Sequence, residues 1–319
     1  MISRILDANG IRIHAMDEGI GPLVLFVHGF PESWFSWRHQ MQALAAAGYR
    51  AVAIDVRGYG RSSKPPEVEA YRMLAHVADN VGVVEALGET EAVIVGHDWG
   101  SPIAAASALL RPDVFRAVAL LSVPYGAPGG TRPTDSFRAM GGDEEFYINY
   151  FQQPGRAEAE IEADVRSWLL GFYVSASAAG RPGSDGGSMA TVRPGGLLKD
   201  RFTTLDHFPA WLPENDFEFY VSEFERTGFS GALNRYRNVD RDWEDLKAWS
   251  RQPIRVPSLF IGGDRDGPTV WGARAIARYP ETLPALVGSH ILTNCGHWVQ
   301  QERAEEVNEL LLAFLSKTG

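Results

Sequence analysis

Five short runs of mainly apolar residues constrain the fold of this 319-residue chain more than any other feature. They are Leu23–Val27, Ala51–Ile54, Ala92–Val95, Ala117–Leu121 and Pro257–Ile261. A strand with one solvated face alternates apolar and polar residues, whereas a strand covered on both faces is apolar throughout. Runs of this kind therefore predict the buried strands of a parallel sheet.

Stretches of helical length separate several of these runs. Trp34–Ala47 is followed by Gly48, Leu74–Leu87 is followed by Gly88, and a third stretch covers Ser101–Leu110. Glycine directly after a helix is a common C-terminal signal because it accepts the left-handed conformation. Strands that alternate with helices imply right-handed crossovers, so the chain is expected to form a doubly wound, mostly parallel α/β sheet.

The two ends of the chain add further elements. Ile2–Leu6 and Ile11–Ala15 flank an Asn-Gly pair at residues 9–10, which favours a tight β-hairpin turn. A last strand is expected near His290, and the closing helix is expected over Glu302–Leu315.

The strand–helix alternation stops near Tyr125 and resumes near Pro257. The intervening sequence contains no convincing strand but has helical stretches at Ala157–Tyr173 and Glu214–Arg226. A loose glycine-rich segment, residues 180–196, lies between those two stretches. The pattern is typical of an insertion into an α/β domain.

We therefore divide the chain into a core and an insertion. Residues 1–127 and 250–319 are expected to form the α/β core, and residues 128–249 a mostly helical lid. Ligands of open α/β sheets bind at the carboxyl ends of the strands. The lid is accordingly predicted to cover that edge of the sheet.

Composition and charge exclude several classes of function. A net charge of −10 argues against nucleic acid as a main partner, and no apolar run approaches the length of a membrane span. The single cysteine, Cys295, excludes an intramolecular disulfide and a multi-cysteine metal site. The first residues lack the apolar stretch of a secretory signal, which favours a cytoplasmic protein. No metal is expected, because no ligand spacing connects His14, His39, His76, His97, His207 and His290.

Four polar motifs each follow a predicted strand or lie near the last one. They are HGFP at residues 28–31, VGHDWG at 95–100, GGDRD at 262–266 and NCGHW at 294–298. The carboxyl ends of parallel strands meet at one edge of a sheet. The four motifs are therefore predicted to form a single site.

The second motif has the form Gly-x-Asp-x-Gly, with Asp98 between Gly96 and Gly100. This is the pattern of a nucleophile elbow, in which a sharp strand-to-helix turn exposes the middle residue. Small neighbours let the chain pass through the turn, and the N-terminus of the following helix favours a negative charge there. Asp98 is therefore the candidate nucleophile.

The order Asp98, Asp266, His297 is the order nucleophile, acid, histidine of α/β-hydrolases. A carboxylate is already ionised at neutral pH and can displace a leaving group from a saturated carbon, which leaves an alkyl ester on the enzyme. His297 would then activate water for attack on the carbonyl carbon of that ester. Asp266 would orient the imidazole and stabilise its cationic form.

Hydrolysis of the ester also requires an oxyanion hole. The backbone N–H groups of Phe30 and Trp99 are the natural donors, since one follows the first motif's glycine and the other follows the nucleophile. His28, Gly29 and Pro31 are expected to support the loop that presents Phe30.

Each motif also has an ordinary structural interpretation. Asp98 could cap a helix, residues 28–31 could be a plain turn, and His297 could be a satisfied turn residue. Asp264 and Asp266 could both be loop carboxylates. Four motifs in the triad order, each at the end of a strand, favour the catalytic interpretation.

Over nearly its whole length, the chain resembles soluble epoxide hydrolases of the α/β-hydrolase superfamily, both the bacterial enzymes and the hydrolase domain of the mammalian soluble type. The similarity lies in the core motifs and in two lid phrases. The lid phrases are the more specific, since dehalogenases share the core motifs. The phrases are HGFPESWFSWRHQ, DVRGYGRSS, GHDWG, YINYFQQPGRAEAEIE, FYVSEFERTGFSGALNRYRNVDRDW and CGHWVQQE.

The resemblance implies roles for further residues. Two lid tyrosines of the family donate hydrogen bonds to the epoxide oxygen, and the matching positions are Tyr147 and Tyr236, with Tyr150 close enough to Tyr147 to be confused with it. The family pattern also places the catalytic acid at the second loop aspartate, Asp266, and leaves Asp264 as a solvated or turn residue. The implied reaction is hydrolysis of an epoxide to a vicinal diol by water, without a cofactor, in a cytoplasmic enzyme that could be a homodimer and could serve detoxification.

Two alternatives use the same fold. A haloalkane or haloacid dehalogenase would share the aspartate nucleophile but needs halide-binding groups, and the combination of Phe30, Glu32 and the lid tyrosines favours an epoxide. A non-catalytic ligand receptor has no need to keep Asp98, Asp266 and His297 together. Diol formation from styrene oxide, compared with halide release from a haloalkane, would separate these functions.

Overall fold

The computed structural model describes residues 1–205, 207–250 and 252–318. Its strands in chain order are β1 (Ile2–Ala8), β2 (Ile11–Glu18), β3 (Leu23–Val27), β4 (Arg50–Ile54), β5 (Ala92–His97), β6 (Phe115–Leu121), β7 (Glu145–Phe146), β8 (Thr191–Val192), β9 (Ser258–Gly263) and β10 (Leu286–Leu292). Within the described ranges, eight of them form one sheet in the order β1-β2-β4-β3-β5-β6-β9-β10. The β1–β2 and β2–β4 pairs are antiparallel and the other neighbours are parallel, which confirms the predicted mostly parallel sheet.

The side chains of β3 explain why its sequence is apolar throughout. Leu23, Leu25 and Val27 belong to one apolar core, and Val24 and Phe26 belong to a second core. Successive side chains of a strand point to opposite faces, so the two cores lie on the two faces of the sheet. A strand in this position has no solvated face on which a polar residue would be favoured.

The first hairpin is also confirmed. Asn9 and Gly10 both have positive φ, 48° and 75°, and Ala8 pairs with Ile11 across the turn. Positive φ at both central residues is the requirement of a type I′ turn, which Asn-Gly meets with little strain.

Helices cover both faces of the sheet. Those outside the insertion are α1 (Arg38–Ala46), α2 (Met73–Ala86) and α3 (Gly100–Leu110), followed after the insertion by α11 (Gly267–Trp271), α12 (Ala273–Ile276), α13 (Tyr279–Thr282), α14 (Val299–Glu302) and α15 (Ala304–Thr318). Short 3₁₀ turns lie at Trp34–Trp37, Val68–Tyr71, Leu198–Arg201 and Lys247–Trp249. The predicted start of the closing helix, Glu302–Leu315, is wrong. The helical conformation is interrupted at Arg303 (φ −132°, ψ 48°), so α14 ends at Glu302 and α15 begins after the interruption.

The insertion between β6 and β9 is mostly helical, as predicted. Its helices are α4 (Pro133–Gly141), α5 (Tyr147–Tyr150), α6 (Arg156–Ile161), α7 (Val165–Ala176), α8 (Glu214–Thr227), α9 (Ser230–Tyr236) and α10 (Val239–Asp245). In the described ranges it adds no strand to the main sheet. The boundaries of the lid at residues 128 and 249 stay a prediction.

Two details of the insertion differ from the prediction. The strands β7 and β8 pair antiparallel, Glu145 with Val192, although no strand was expected there. Two-residue strands are too short to produce a recognisable alternation. The single helix expected over Ala157–Tyr173 is two helices, because the Asp164 side chain accepts a hydrogen bond from the Ser167 amide at 3.0 Å and starts α7 afresh.

The insertion contacts the core through α7 at the ends of β3 and β10. The Tyr173 hydroxyl donates to the carbonyl of Pro31 at 2.5 Å, and the Trp298 indole N–H donates to the Tyr173 carbonyl at 2.8 Å. The insertion is therefore bound to the first and the last of the four polar motifs. No helix in the described part of the chain combines the length and the apolar character needed to cross a membrane.

Candidate active site

Asp98 lies at the sharp turn between β5 and α3. Its φ is 49°, an uncommon conformation for a residue with a side chain, and the glycines around it are required by close packing. A Cβ atom on Gly29 would lie 2.2 Å from Asp98 Oδ1, and one on Gly100 would lie 2.0 Å from the Val27 carbonyl oxygen. The elbow predicted from the sequence is therefore present.

The Asp98 side chain is 10% exposed, and its carboxylate has two directed contacts. The Phe30 amide donates a hydrogen bond to Oδ1 at 2.7 Å, and Oδ2 lies 3.4 Å from His297 Nε2. Trp99, the other expected oxyanion donor, directly follows Asp98 and comes just before α3. The nucleophile motif and the first motif thus meet at one carboxylate, as expected.

His297 lies between two carboxylates. Its Nε2 faces Asp98, and its Nδ1 lies 2.9 Å from Asp266 Oδ1. Asp266 is fully buried, whereas Asp264 is exposed and accepts a hydrogen bond from the Cys295 amide at 3.2 Å. Of the two loop aspartates, the structure brings only Asp266 to the imidazole.

Two hydroxyl groups that the sequence analysis missed also bind Asp266. Ser122 Oγ and Thr269 Oγ1 each donate to Asp266 Oδ2 at 2.7 Å, and Ser122 Oγ lies 2.9 Å from His297 Nδ1. A buried carboxylate without such partners would carry a large desolvation cost. Ser122 follows β6 with a positive φ of 68°, and a polar residue at that strand end was the available sequence signal.

The two carboxylates change the proton affinity of the histidine. Burial acts to lower the pKa of His297, but the negative charges of Asp266 and Asp98 outweigh it and hold that pKa well above its ordinary value. This raised pKa favours the protonated form of the imidazole between the two carboxylates at neutral pH.

Tyr147 and Tyr236 come from the insertion and lie side by side. Their ring centroids are 6.1 Å apart, and the Tyr236 ring meets the rings of Trp99 and Phe30 edge-on at 5.1 and 5.3 Å. Burial, followed by the nearby Asp98 carboxylate, raises the pKa of both tyrosine hydroxyls above the ordinary value. Both hydroxyls therefore stay protonated.

The neighbouring tyrosine, Tyr150, points elsewhere. Its hydroxyl donates to Glu160 Oε2 at 2.6 Å, and Glu160 also accepts a hydrogen bond from the Trp168 indole at 3.0 Å. This contact lies inside the insertion and away from Asp98. The structure thus separates Tyr147 from Tyr150, which the sequence could not do without the resemblance.

Residues 22–304 match the family model described as alpha/beta hydrolase fold. The chain belongs to this family.

Relatives of this alpha/beta hydrolase carry a consistent name. The chain is 44% identical to Epoxide hydrolase B of Mycobacterium tuberculosis, over 98% of each chain. It is 41% identical to Epoxide hydrolase A of the same species, over 98% of this chain and 97% of the other. A solved structure, an epoxide hydrolase from an endophytic Streptomyces, is 64% identical and superposes with a TM-score of 0.96, covering 99% of this chain and 95% of the other.

The HGFP motif of the alpha/beta hydrolase is held by backbone contacts. His28 Nε2 accepts a hydrogen bond from the Val56 amide at 3.0 Å, so the ring proton is on Nδ1, 2.8 Å from the Gly29 carbonyl oxygen. The peptide bond between Phe30 and Pro31 is cis. His28 therefore supports the loop and makes no hydrogen bond to Asp98.

A second histidine, His97, forms a buried ion pair that the sequence analysis did not find. Its Nδ1 lies 2.7 Å from Glu32 Oε2 and its Nε2 lies 2.8 Å from the backbone carbonyl oxygen of His297. The carbonyl oxygen can only accept, so Nε2 donates to it, and Nδ1 donates to Glu32 Oε2 when that carboxyl is ionised. His97 lies inside the second motif and Glu32 directly follows the first, and their positions beside Asp98 and Pro31 were the available signal.

The Glu32 carboxylate also binds the first motif loop and helix α14. It accepts hydrogen bonds from the Gly29 amide at 3.0 Å and the Gln300 side chain at 2.9 Å. Burial acts to raise the pKa of Glu32, but the His97 cation outweighs it and lowers that pKa to about 2. In the described ranges, no three His, Cys, Asp or Glu side chains are grouped so that they could hold a metal ion.

Proposed function

We propose that this protein is an epoxide hydrolase that converts an epoxide into a vicinal diol through a covalent ester on Asp98. One observation carries the proposal: a carboxylate in the nucleophile elbow faces an imidazole on one side, at 3.4 Å, and lies near two protonated tyrosines of the insertion. The names of the relatives agree with this reaction.

In the first step, Asp98 attacks one carbon of the epoxide. A new carbon–oxygen bond forms to the carboxylate, the ring carbon–oxygen bond breaks, and the released oxygen takes a proton. Tyr147 and Tyr236 are the proton and hydrogen-bond donors in this proposal, because alkoxide is a poor leaving group that needs stabilisation. Their raised pKa keeps the protons on the hydroxyls until charge develops on the substrate oxygen.

Ester formation itself prepares the second step. The negative charge of Asp98 is one of the causes of the raised pKa of His297, and the ester removes that charge. The pKa of His297 then falls, so the imidazolium gives up its proton, which restores the tyrosine that protonated the substrate oxygen. The neutral imidazole can then act as a general base towards water, with Asp266 holding Nδ1.

Water gives a proton to His297 and adds to the ester carbonyl, and the amides of Phe30 and Trp99 stabilise the resulting oxyanion. The bond between the carbonyl carbon and the substrate oxygen then breaks, that oxygen takes the proton from His297, and the diol leaves as the Asp98 carboxylate is restored.

Residues 128–249 act as the lid in this proposal. They supply both tyrosines and bind the core beside Pro31 and His297, so they hold the donors over the nucleophile and limit the access of water. The carboxylates, imidazole and hydroxyls supply the whole chemistry, so no cofactor is required. We extend the proposal to a cytoplasmic enzyme with a role in detoxification, present as a homodimer. Cell fractionation and sedimentation measurements test its location and assembly.

Single turnover in ¹⁸O-labelled water tests the reaction. With enzyme in excess over styrene oxide, the ester route puts the first label into the Asp98 carboxylate, and the first diol carries ordinary oxygen. Direct attack of water on the epoxide would instead label the first diol and leave Asp98 unlabelled.

Two controls complete this experiment. Asp98→Ala should form neither labelled protein nor diol. Halide release from a haloalkane of similar size should be much slower than diol formation from the epoxide, since tyrosine hydroxyls suit a developing alkoxide. Rapid halide release without diol formation would favour a dehalogenase and contradict the proposal.

A further inference from the structure

Glu302, at the end of α14, binds the backbone on both sides of His297. Its Oε1 accepts a hydrogen bond from the Trp298 amide at 3.0 Å, and its Oε2 accepts one from the Gly296 amide at 3.1 Å. The same Oε2 accepts a third hydrogen bond from the Ala178 amide at 2.9 Å. One carboxylate therefore joins the loop of the candidate base to the lid.

The lid backbone lies directly against this loop. A Cβ atom on Gly296 would lie 2.3 Å from both the Ala178 nitrogen and the Ser177 carbonyl carbon. The His297 amide donates to the Ala176 carbonyl at 2.9 Å. The chain from 176 to 178 and the loop from 296 to 298 are therefore packed backbone to backbone, with Glu302 as the side chain that binds both.

We propose that Glu302 is a positioning residue that fixes the loop of His297 against the lid and so sets the direction of the imidazole for ester hydrolysis. The inference rests on the proposed function. Glu302 does not touch the reacting atoms, and it acts through the backbone of Gly296 and Trp298.

The three amides require a carboxylate at this position. Two carboxylate oxygens offer enough lone pairs for three N–H donors, and charge-assisted hydrogen bonds of this kind are strong. Glutamine has one acceptor oxygen and adds an NH₂ group, so at least one of the three amides would face another donor. Burial raises the pKa of Glu302, while the amides and the nearby His297 act in the opposite direction.

A small displacement of this loop affects the two chemical steps differently. Asp98 attack depends on the elbow and the tyrosines, whereas hydrolysis depends on the imidazole, which is held at Nδ1 by Asp266 and through its backbone by the lid. A misplaced base loses its alignment with water and ester. The loss of Glu302 should therefore slow the second step more than the first.

The test compares Glu302→Gln with Glu305→Gln, an exposed carboxylate on α15. Single-turnover kinetics with styrene oxide should show alkylation within about threefold of wild type and hydrolysis slowed roughly tenfold or more in Glu302→Gln. Intact-protein mass should then show the alkyl-enzyme during steady-state turnover. Glu305→Gln should behave as wild type in both steps.

Glu302→Asp provides a second variant that keeps the charge and shortens the side chain by one methylene. Its ratio of alkylation to hydrolysis rates should lie between those of wild type and Glu302→Gln. If alkylation and hydrolysis were slowed equally and the melting temperature fell, Glu302 would have a structural role only. Unchanged hydrolysis in either variant would also overturn the inference. A wild-type enzyme that forms no adduct and no diol would contradict the proposed function itself, which is a distinguishable result.

Discussion

At the scale of single residues, the chemistry of the candidate site depends on the charged groups that lie next to His297. His297 has a carboxylate on each ring nitrogen, Asp98 at 3.4 Å and Asp266 at 2.9 Å. The proposed reaction converts the Asp98 carboxylate into an uncharged ester for part of the cycle, whereas the Asp266 carboxylate is unchanged. The same imidazole can thus be a stabilising cation before alkylation and a base after it.

The change His297→Gln should separate the two steps. Glutamine cannot act as a general base, so alkylation of Asp98 should continue and hydrolysis should stop. Intact-protein mass should increase by the mass of the epoxide, with one adduct per chain, and Asp98→Ala should show no increase. A His297→Gln protein without adduct, beside an active wild type, would disprove the ester route.

The change of both Tyr147 and Tyr236 to Phe should slow alkylation far more than either single change. Each tyrosine can partly replace the other as donor, and loss of one donor to a developing oxyanion costs roughly 10²-fold to 10³-fold. Tyr150→Phe is the matched control, because that hydroxyl binds Glu160. Rates of alkylation come from single turnover, and a double variant with wild-type rates would remove both tyrosines from the mechanism.

At the scale of elements, several strands and helices of the core could be predicted because each of them is set by local pattern. The runs at Leu23–Val27 and Ala92–Val95 became β3 and β5, within two residues at each end. The elbow at Asp98 could be predicted for the same reason, since its glycines and helix start are neighbours in sequence.

Contacts between distant segments could not be predicted in this way. Ser122 and Thr269 meet at Asp266 only when β6 and β9 pair, and Glu302 meets Ala178 only when the lid packs on the core. A single sequence shows no pattern for such contacts. They supply the partners that hold the candidate catalytic groups in place.

The start of α7 gives a prediction at this scale. Asp164→Ala removes the hydrogen bond to the Ser167 amide and should lower the free energy of unfolding by about 1 kcal/mol. Urea denaturation measures the change, with Glu225→Ala, an exposed residue inside α8, as the control. A loss for Asp164→Ala no greater than that of the control would mean that the cap does not start α7.

At the scale of the whole molecule, the loop after β3, the elbow after β5 and the loop of His297 converge on the buried pair of Glu32 and His97. Glu32 and His97 bind the loop of Gly29, the backbone of His297 and the side chain of Gln300. Breaking a buried pair leaves an uncompensated charge in the core. The free energy of unfolding should therefore depend on pH through the ionisation of Glu32.

Glu32 should contribute to the loss of folding stability in acid. Its pKa is about 2 in the folded protein, lowered by the His97 cation against the effect of burial, and its ordinary value is 4.5. The unfolded chain thus binds more protons between these values, so the stabilisation is present above pH 4.5 and is lost as the pH falls towards 2. A difference of this size corresponds to about 3 kcal/mol. Glu32→Gln cannot titrate, so it should be less stable than wild type at neutral pH and should lose less stability across that window.

Urea denaturation at a series of pH values between 2 and 7 measures this contribution. The difference in unfolding free energy between wild type and Glu32→Gln should shrink as the pH falls below about 4.5. Glu225→Gln, which changes an exposed carboxylate, should follow wild type throughout. A constant difference between wild type and Glu32→Gln at all pH values would show that the ion pair does not lower the pKa of Glu32. The three loops would then be held by hydrogen bonds that do not depend on the charge of Glu32.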